Sequence, residues 1–159
     1  FIRDIRDLES DIPIANISFV GSHSLLQKLS DLSEKTSKNY TSNLINSQVM
    51  PFFSNTSLNV VSEYQSLMNT YIKSPRFNFV SFEGFLNAKV LVEILRQMKP
   101  NEPFSNMPAS VSKIRQLDIG AGEPITFRSM RDNGFSTIYF TTIDQTGFVP
   151  LKDWSIWKK

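Results

Sequence analysis

The sequence predicts an α/β protein with mainly parallel strand pairing, and three observations predict it. Ser81 to Pro100, SFEGFLNAKVLVEILRQMKP, repeats Phe82, Phe85, Leu86, Ala88, Leu91, Val92, Leu95 and Met98 mostly at three- and four-residue spacings, the beat of one broad helical face. The runs at 12–20 and 137–143 are rich in β-branched and aromatic residues, as strands are. Strand-like and helix-like stretches then alternate along the chain, without an internal repeat or a low-complexity segment.

Composition narrows the function classes. At 159 residues the chain can bury one sizeable core or contribute to two smaller lobes. Its 17 Lys plus Arg nearly balance 15 Asp plus Glu, so no nucleic-acid footprint is expected. There is no cysteine and one histidine, which excludes Cys/His zinc sites, thiol catalysis and disulfide staples. No cofactor is expected. No apolar run is long enough to span a bilayer, and no signal-peptide pattern opens the sequence. It begins Phe1-Ile2-Arg3 without a Met, which suggests a processed or excised piece of something longer.

Taken in order, FIRDIRDL at 1–8 reads as the tail of an amphipathic helix whose start is missing. Ile12, Ile14, Ala15, Ile17, Phe19 and Val20 make a largely buried strand with Pro13 among its first residues. Gly21-Ser22-His23-Ser24 is a turn with capping chemistry. Leu25, Leu26, Leu29 and Leu32 then carry a helix to about Asp31 or Ser33, before a polar loop over 34–42. Leu44, Ile45, Val49 and Met50 suggest a second strand that stops at Pro51. Val60, Val61, Tyr64, Leu67, Met68 and Tyr71 give a helix over about 57–72, broken at Ser74-Pro75.

The helix over about 82–98 follows, with Ser81 as its cap and Glu93 pairing with Lys89 or Arg96. Pro103 and Pro108 punctuate a linker, and Val111, Ile114 and Leu117 predict a short helix. Ile125 and Phe127 suggest a small strand, TIYFTTI at 137–143 a longer one, and Gly147 a hairpin into 148–151. Gly120-Ala121-Gly122 lacks the preceding strand and following long helix that phosphate binding needs, so it reads as a plain turn. His23 has no orienting acid placed by any motif, so it reads as a capping or solvent residue.

Several stretches together resemble the C-terminal half of the type I periplasmic solute-binding proteins, the branched-chain amino-acid (Leu/Ile/Val) binding family. IPIANISFVGSHSLLQKLSD is similar to that family's strand, small-residue turn and helix. SQVMPFFSNTSLNVVSEYQSLMNTY resembles its crossing between lobes and the helix with a "vv.eyq" pattern. FNFVSFEGFLNAKVLVEILRQM resembles its "sleGyi.akvlveAL" helix, and PITFRSMRDNGFSTIYFTTIDQTGFVPL its last strands.

The resemblance implies part of a two-lobed fold with three-layer α/β/α lobes whose first half is missing. Residues 1–49 would belong to the second lobe, 50–134 to the first, and 135–159 to the second again. It further implies no enzyme but an extracytoplasmic solute-binding module of a bacterial ABC-type importer or a sensor, periplasmic in its setting. Such a module takes a small polar ligand, an amino acid or carboxylate, between the lobes and works with a membrane permease or a fused signalling domain.

The implied ligand contacts are Ser18, Gly21, Ser22, Phe82 and Glu83, at strand ends and helix starts. Phe82 also reads as core, and Glu83 as a helix-dipole partner. The family's amino-acid binders hold the ligand's ammonium with an acid, and residues 14–24 contain none. An interaction domain that kept the fold and lost the pocket is therefore a second reading. The apolar faces of the helices at 57–72 and 82–98 need a sheet to cover, so self-association or a companion fragment is expected.

Overall fold

The computed structural model describes residues 1–18, 23–128, 134–144 and 147–155. The chain packs as two compact units, one formed by 1–49 with 138–159 and the other by 50–137.

Unit one is organised by a four-stranded sheet in the order β1-β2-β3-β4: β1 (Ile14–Asn16), β2 (Leu44–Gln48), β3 (Tyr139–Asp144) and β4 (Gly147–Pro150). Helix α2 (His23–Thr36) connects β1 to β2, which pair in parallel with Ile14 opposite Leu44 and Asn16 opposite Asn46. β2 and β3 are antiparallel with Asn46 opposite Thr141, and β3 and β4 form an antiparallel hairpin. Mixed pairing thus replaces the expected mainly parallel sheet: only two residues separate β3 from β4, and so short a connection can join only antiparallel neighbours.

One sheet face meets α1 (Ile2–Asp7) and α2. Ile14, Leu29, Tyr40 and Leu44 form the core there, flanked by Ile2, Ile5, Leu25, Leu32 and Ile143. Arg6 is buried nearby, and its guanidinium donates to the carbonyls of Ser10, Ile12 and Ser42 at 2.7, 3.1 and 2.8 Å. That bond to Ile12 helps explain why β1 is shorter than its apolar run. Pro13 has no N–H for a ladder, the Ile12 carbonyl is engaged by Arg6, and Ile17 is exposed. Phe19 and Val20 lie outside the described residues.

α2 in turn outruns its expected end, taking in Glu34, Lys35 and Thr36. The Ser33 and Thr36 hydroxyls donate back to the carbonyls of Leu29 and Leu32, so these polar residues join the helix until Ser37 turns to positive φ.

Unit two is helical: α3 (Asn59–Tyr71), α4 (Phe79–Gln97), a 3₁₀ turn (Phe104–Asn106) and α5 (Met107–Val111), which packs against α4. Tyr64 of α3 is its pivot, with ring centroids 5.0 Å from Phe82 and 5.7 Å from Phe77 and Phe85. Lys89 of α4 pairs with Glu63 of α3 rather than with Glu93, which pairs with Arg96.

The short helix lies before its expected place at 111–117. Pro108 sits in its first turn, where a missing N–H costs nothing, so this proline opens a helix instead of marking a linker. Leu117 instead meets Ile125 in a lone antiparallel bridge, which is all that forms of the strand expected at Ile125 and Phe127.

Candidate functional site

Three of the five predicted contacts, Ser18, Phe82 and Glu83, fall among the described residues. In unit one, Ser18 is half-buried just after β1, while Gly21 and Ser22 lie outside the described residues. In unit two, Phe82 and Glu83 sit near the start of α4, one turn further into the helix than their sequence suggests. The helix begins at Phe79 because Asn78 caps it: its Oδ1 accepts from the Ser81 N–H at 2.9 Å, and its carbonyl from the Phe82 N–H at 3.1 Å. Ser81, expected as the cap, instead shares a 2.5 Å hydrogen bond with the Tyr64 hydroxyl.

Phe82 is fully buried against Tyr64, whereas Glu83 is exposed. The two side chains therefore differ in role. Phe82 is a packing residue that fixes the register of α4 on α3, and Glu83 is the one offered to solvent.

Another feature of unit two is a cavity of about 420 Å³ at the start of α3, lined by Ser57, Leu58, Asn59, Asp118, Gly120, Gly122, Glu123 and Pro124. Its wall is the glycine bend. Gly120 has φ +81°, and an added Cβ would stand 3.1 Å from the Val60 nitrogen and the Asn59 Cβ, so only glycine brings this bend so close to the helix. The approach lets the Gly120 carbonyl accept from the Val60 N–H at 3.3 Å, while Asp118 Oδ1 accepts from the Gly120 N–H at 2.7 Å.

Burial works against ionisation of Glu123. Hydrogen bonds donated by Ser136 and Thr137 outweigh it and hold the carboxyl below its usual range. With two carboxylates in its wall, the cavity repels phosphate.

Sequence reasoning missed a row of buried amides on the sheet of unit one. Asn46 and Gln48 are almost wholly inaccessible, and both polar atoms of each side chain lack a hydrogen-bond partner within the protein, as does Asn16 Nδ2. Leaving such a group dry costs about 1–3 kcal/mol. Asn46 and Gln48 share the inward face of β2 with Leu44, and strand pairing sets Asn16 and Thr141 on either side of Asn46. The period-two alternation of a strand could have placed Asn46 and Gln48 inside with Leu44, but LINSQ is too polar to be read as a core strand from composition. Among the described residues, no group of three or more His, Cys, Asp or Glu is placed to hold a metal ion. His23 is exposed at the start of α2.

No family model matches the sequence, and no curated protein does. Solved structures do. A possible leucine/isoleucine/valine-binding protein from Rhodopirellula baltica matches with a TM-score of 0.81 and 26% identity, over 99% of this chain and 39% of its own. The chain has, in part, the fold of the Leu/Ile/Val-binding-like type I periplasmic binding proteins.

Other matches to this binding-protein fold are a substrate-binding periplasmic protein from Ralstonia solanacearum and a fatty acid ABC transporter substrate-binding protein from Thermomonospora curvata. The first has a TM-score of 0.76 and 22% identity over 94% of this chain and 40% of its own. The second has a TM-score of 0.61 and 16% identity over 94% of this chain and 38% of its own. The chain therefore spans about 40% of the length of these binding proteins. Among the described residues, no helix is long and apolar enough to cross a membrane.

Proposed function

We propose that the chain is part of an extracytoplasmic solute-binding module of a bacterial ABC-type importer or sensor, and not an enzyme, with an amino acid or small carboxylate as its ligand. The observation that carries this reading is the match to a possible leucine/isoleucine/valine-binding protein over 99% of the chain. Residues 1–49 and 135–159 would then belong to the second lobe and 50–134 to the first.

Ser18, with Gly21 and Ser22, is the proposed contribution of unit one to ligand binding, and Glu83 that of unit two, with Phe82 holding α4 in place behind it. In the whole protein a permease or a fused signalling domain reads the bound state. Unit two leaves Val80, Leu91, Val92 and Leu95 of α4 exposed, and has no strand among its described residues beyond the lone bridge. Such a surface calls for a sheet from a companion segment or for self-association.

Calorimetry of the protein against leucine, isoleucine, valine and small carboxylates tests the reading. Saturable binding of at least one, weakened by Ser18→Ala or Glu83→Gln, is expected. Absence of binding to all of them would sink it.

A further inference from the structure

We infer that the buried amide row of unit one, Asn16, Asn46 and Gln48 beside Thr141, is a subsite for an uncharged hydroxyl or carboxamide group of a small solute. The inference rests on the solute-binding reading and specifies what this unit recognises.

The row lies on the same sheet face as the apolar core but further along it. Ile14, Leu44 and Ile143 come first, then Asn16, Asn46 and Thr141 side by side, then Gln48. β1 and β2 run in parallel, so the face changes from apolar to polar towards their carboxyl ends. In α/β sheets that is the end where ligands bind. A face built only for packing would continue with aliphatic side chains, since a buried amide without partners destabilises the fold.

Five amide atoms here have no protein partner: Asn16 Nδ2 and both polar atoms of Asn46 and of Gln48. Thr141 is not in that state, because its hydroxyl donates to the Asn46 carbonyl at 3.4 Å. The free set contains donors and acceptors and no ionisable group. It therefore matches a hydroxyl or carboxamide, which also both donates and accepts, and leaves an ammonium or carboxylate without a counter-charge. Asn16 is the least buried of the three and stands on the edge strand β1, so a solute reaches the row past it.

The test compares the parent chain with Asn46→Leu/Gln48→Leu and with Asn16→Ala, by thermal unfolding and calorimetry with L-glutamine, erythritol and L-leucine. Glutamine or erythritol should raise the melting temperature of the parent and leave that of the double variant unmoved. Without solute, the double variant should melt at or above the parent. Asn16→Ala should melt like the parent and bind the effective solute about tenfold more weakly.

A double variant that melts below the parent would mean that the amides are satisfied as a fixed part of the fold, and would overturn the inference. So would a parent that responds to neither glutamine nor erythritol. If leucine binds parent and double variant alike while glutamine and erythritol bind neither, the subsite fails and the solute-binding reading stands. If none of the three binds, the subsite falls, and the solute-binding reading falls with it only when isoleucine, valine and small carboxylates fail as well.

Discussion

In unit one the deepest side chains of the sheet include Asn46, Gln48 and Thr141 next to Leu44, whereas the centre of unit two is Tyr64 against Phe77, Phe82 and Phe85. At the centre of unit two the Tyr64 hydroxyl finds its partner in Ser81. The amides of unit one have none within the protein. The difference teaches that the helical unit is packed for stability, while the sheet unit gives up some stability along one row. Sites that bind commonly carry such a cost.

The sharpest way to break this comparison is Phe82→Ala. Removing a buried ring of this kind destabilises by about 3–5 kcal/mol, because the cavity collapses only in part. Hydrogen exchange should lose protection over 59–97 and keep it over 14–48. Equal losses in both would show that the two units unfold as one body.

A smaller effect is expected in the other unit from Arg6→Ala, which strips hydrogen bonds from the carbonyls of Ser10, Ile12 and Ser42. About 2 kcal/mol should go, read by urea denaturation, since charged donors contribute more than neutral ones. Exchange at 59–97 should not change. Asn78→Ala, which removes the cap of α4, should cost about 1 kcal/mol, and Asn78→Ser should restore most of it.

The smallest effect is set by pH. The carboxyl of Glu123 is held below its ordinary value in the folded chain, so its contribution is present at neutral pH and is lost as pH falls through the folded value. Protection of the Ser136 and Thr137 amides, which donate to it, should fall relative to free amides as the carboxyl takes up its proton in acid. In Glu123→Gln that pH dependence should vanish.

Legibility in the sequence tracks how local each signal is. The long helices and the final hairpin were readable because apolar spacing and one glycine specify them over a few residues. The order of strands in the sheet was not, since β3 reaches β2 only across the whole of unit two. Asn78 escaped notice as the cap because Ser81, equally suited by type, stands nearer the apolar run, and the choice between them depends on Tyr64 taking the Ser81 hydroxyl.

Pro108 misled in the opposite direction, being a breaker in a helix interior and an opener in a first turn. Of the proposed contacts, sequence alone could place Glu83 on a helix and leave Phe82 undecided between core and ligand. The amide row depends on three strands being neighbours, which no spacing within one strand reveals.

The pairing of Asn46 with Thr141 bridges a sequence separation of 95 residues, and this sets the order of events during synthesis. When β2 leaves the ribosome its free edge has no partner until the whole of 50–137 has been made. Long-range pairings of this kind slow folding and expose strand edges to aggregation. A nascent chain stalled before Tyr139 would therefore present the edge of β2 to chaperones or to its neighbours on the polysome, and release of β3 and β4 would close it.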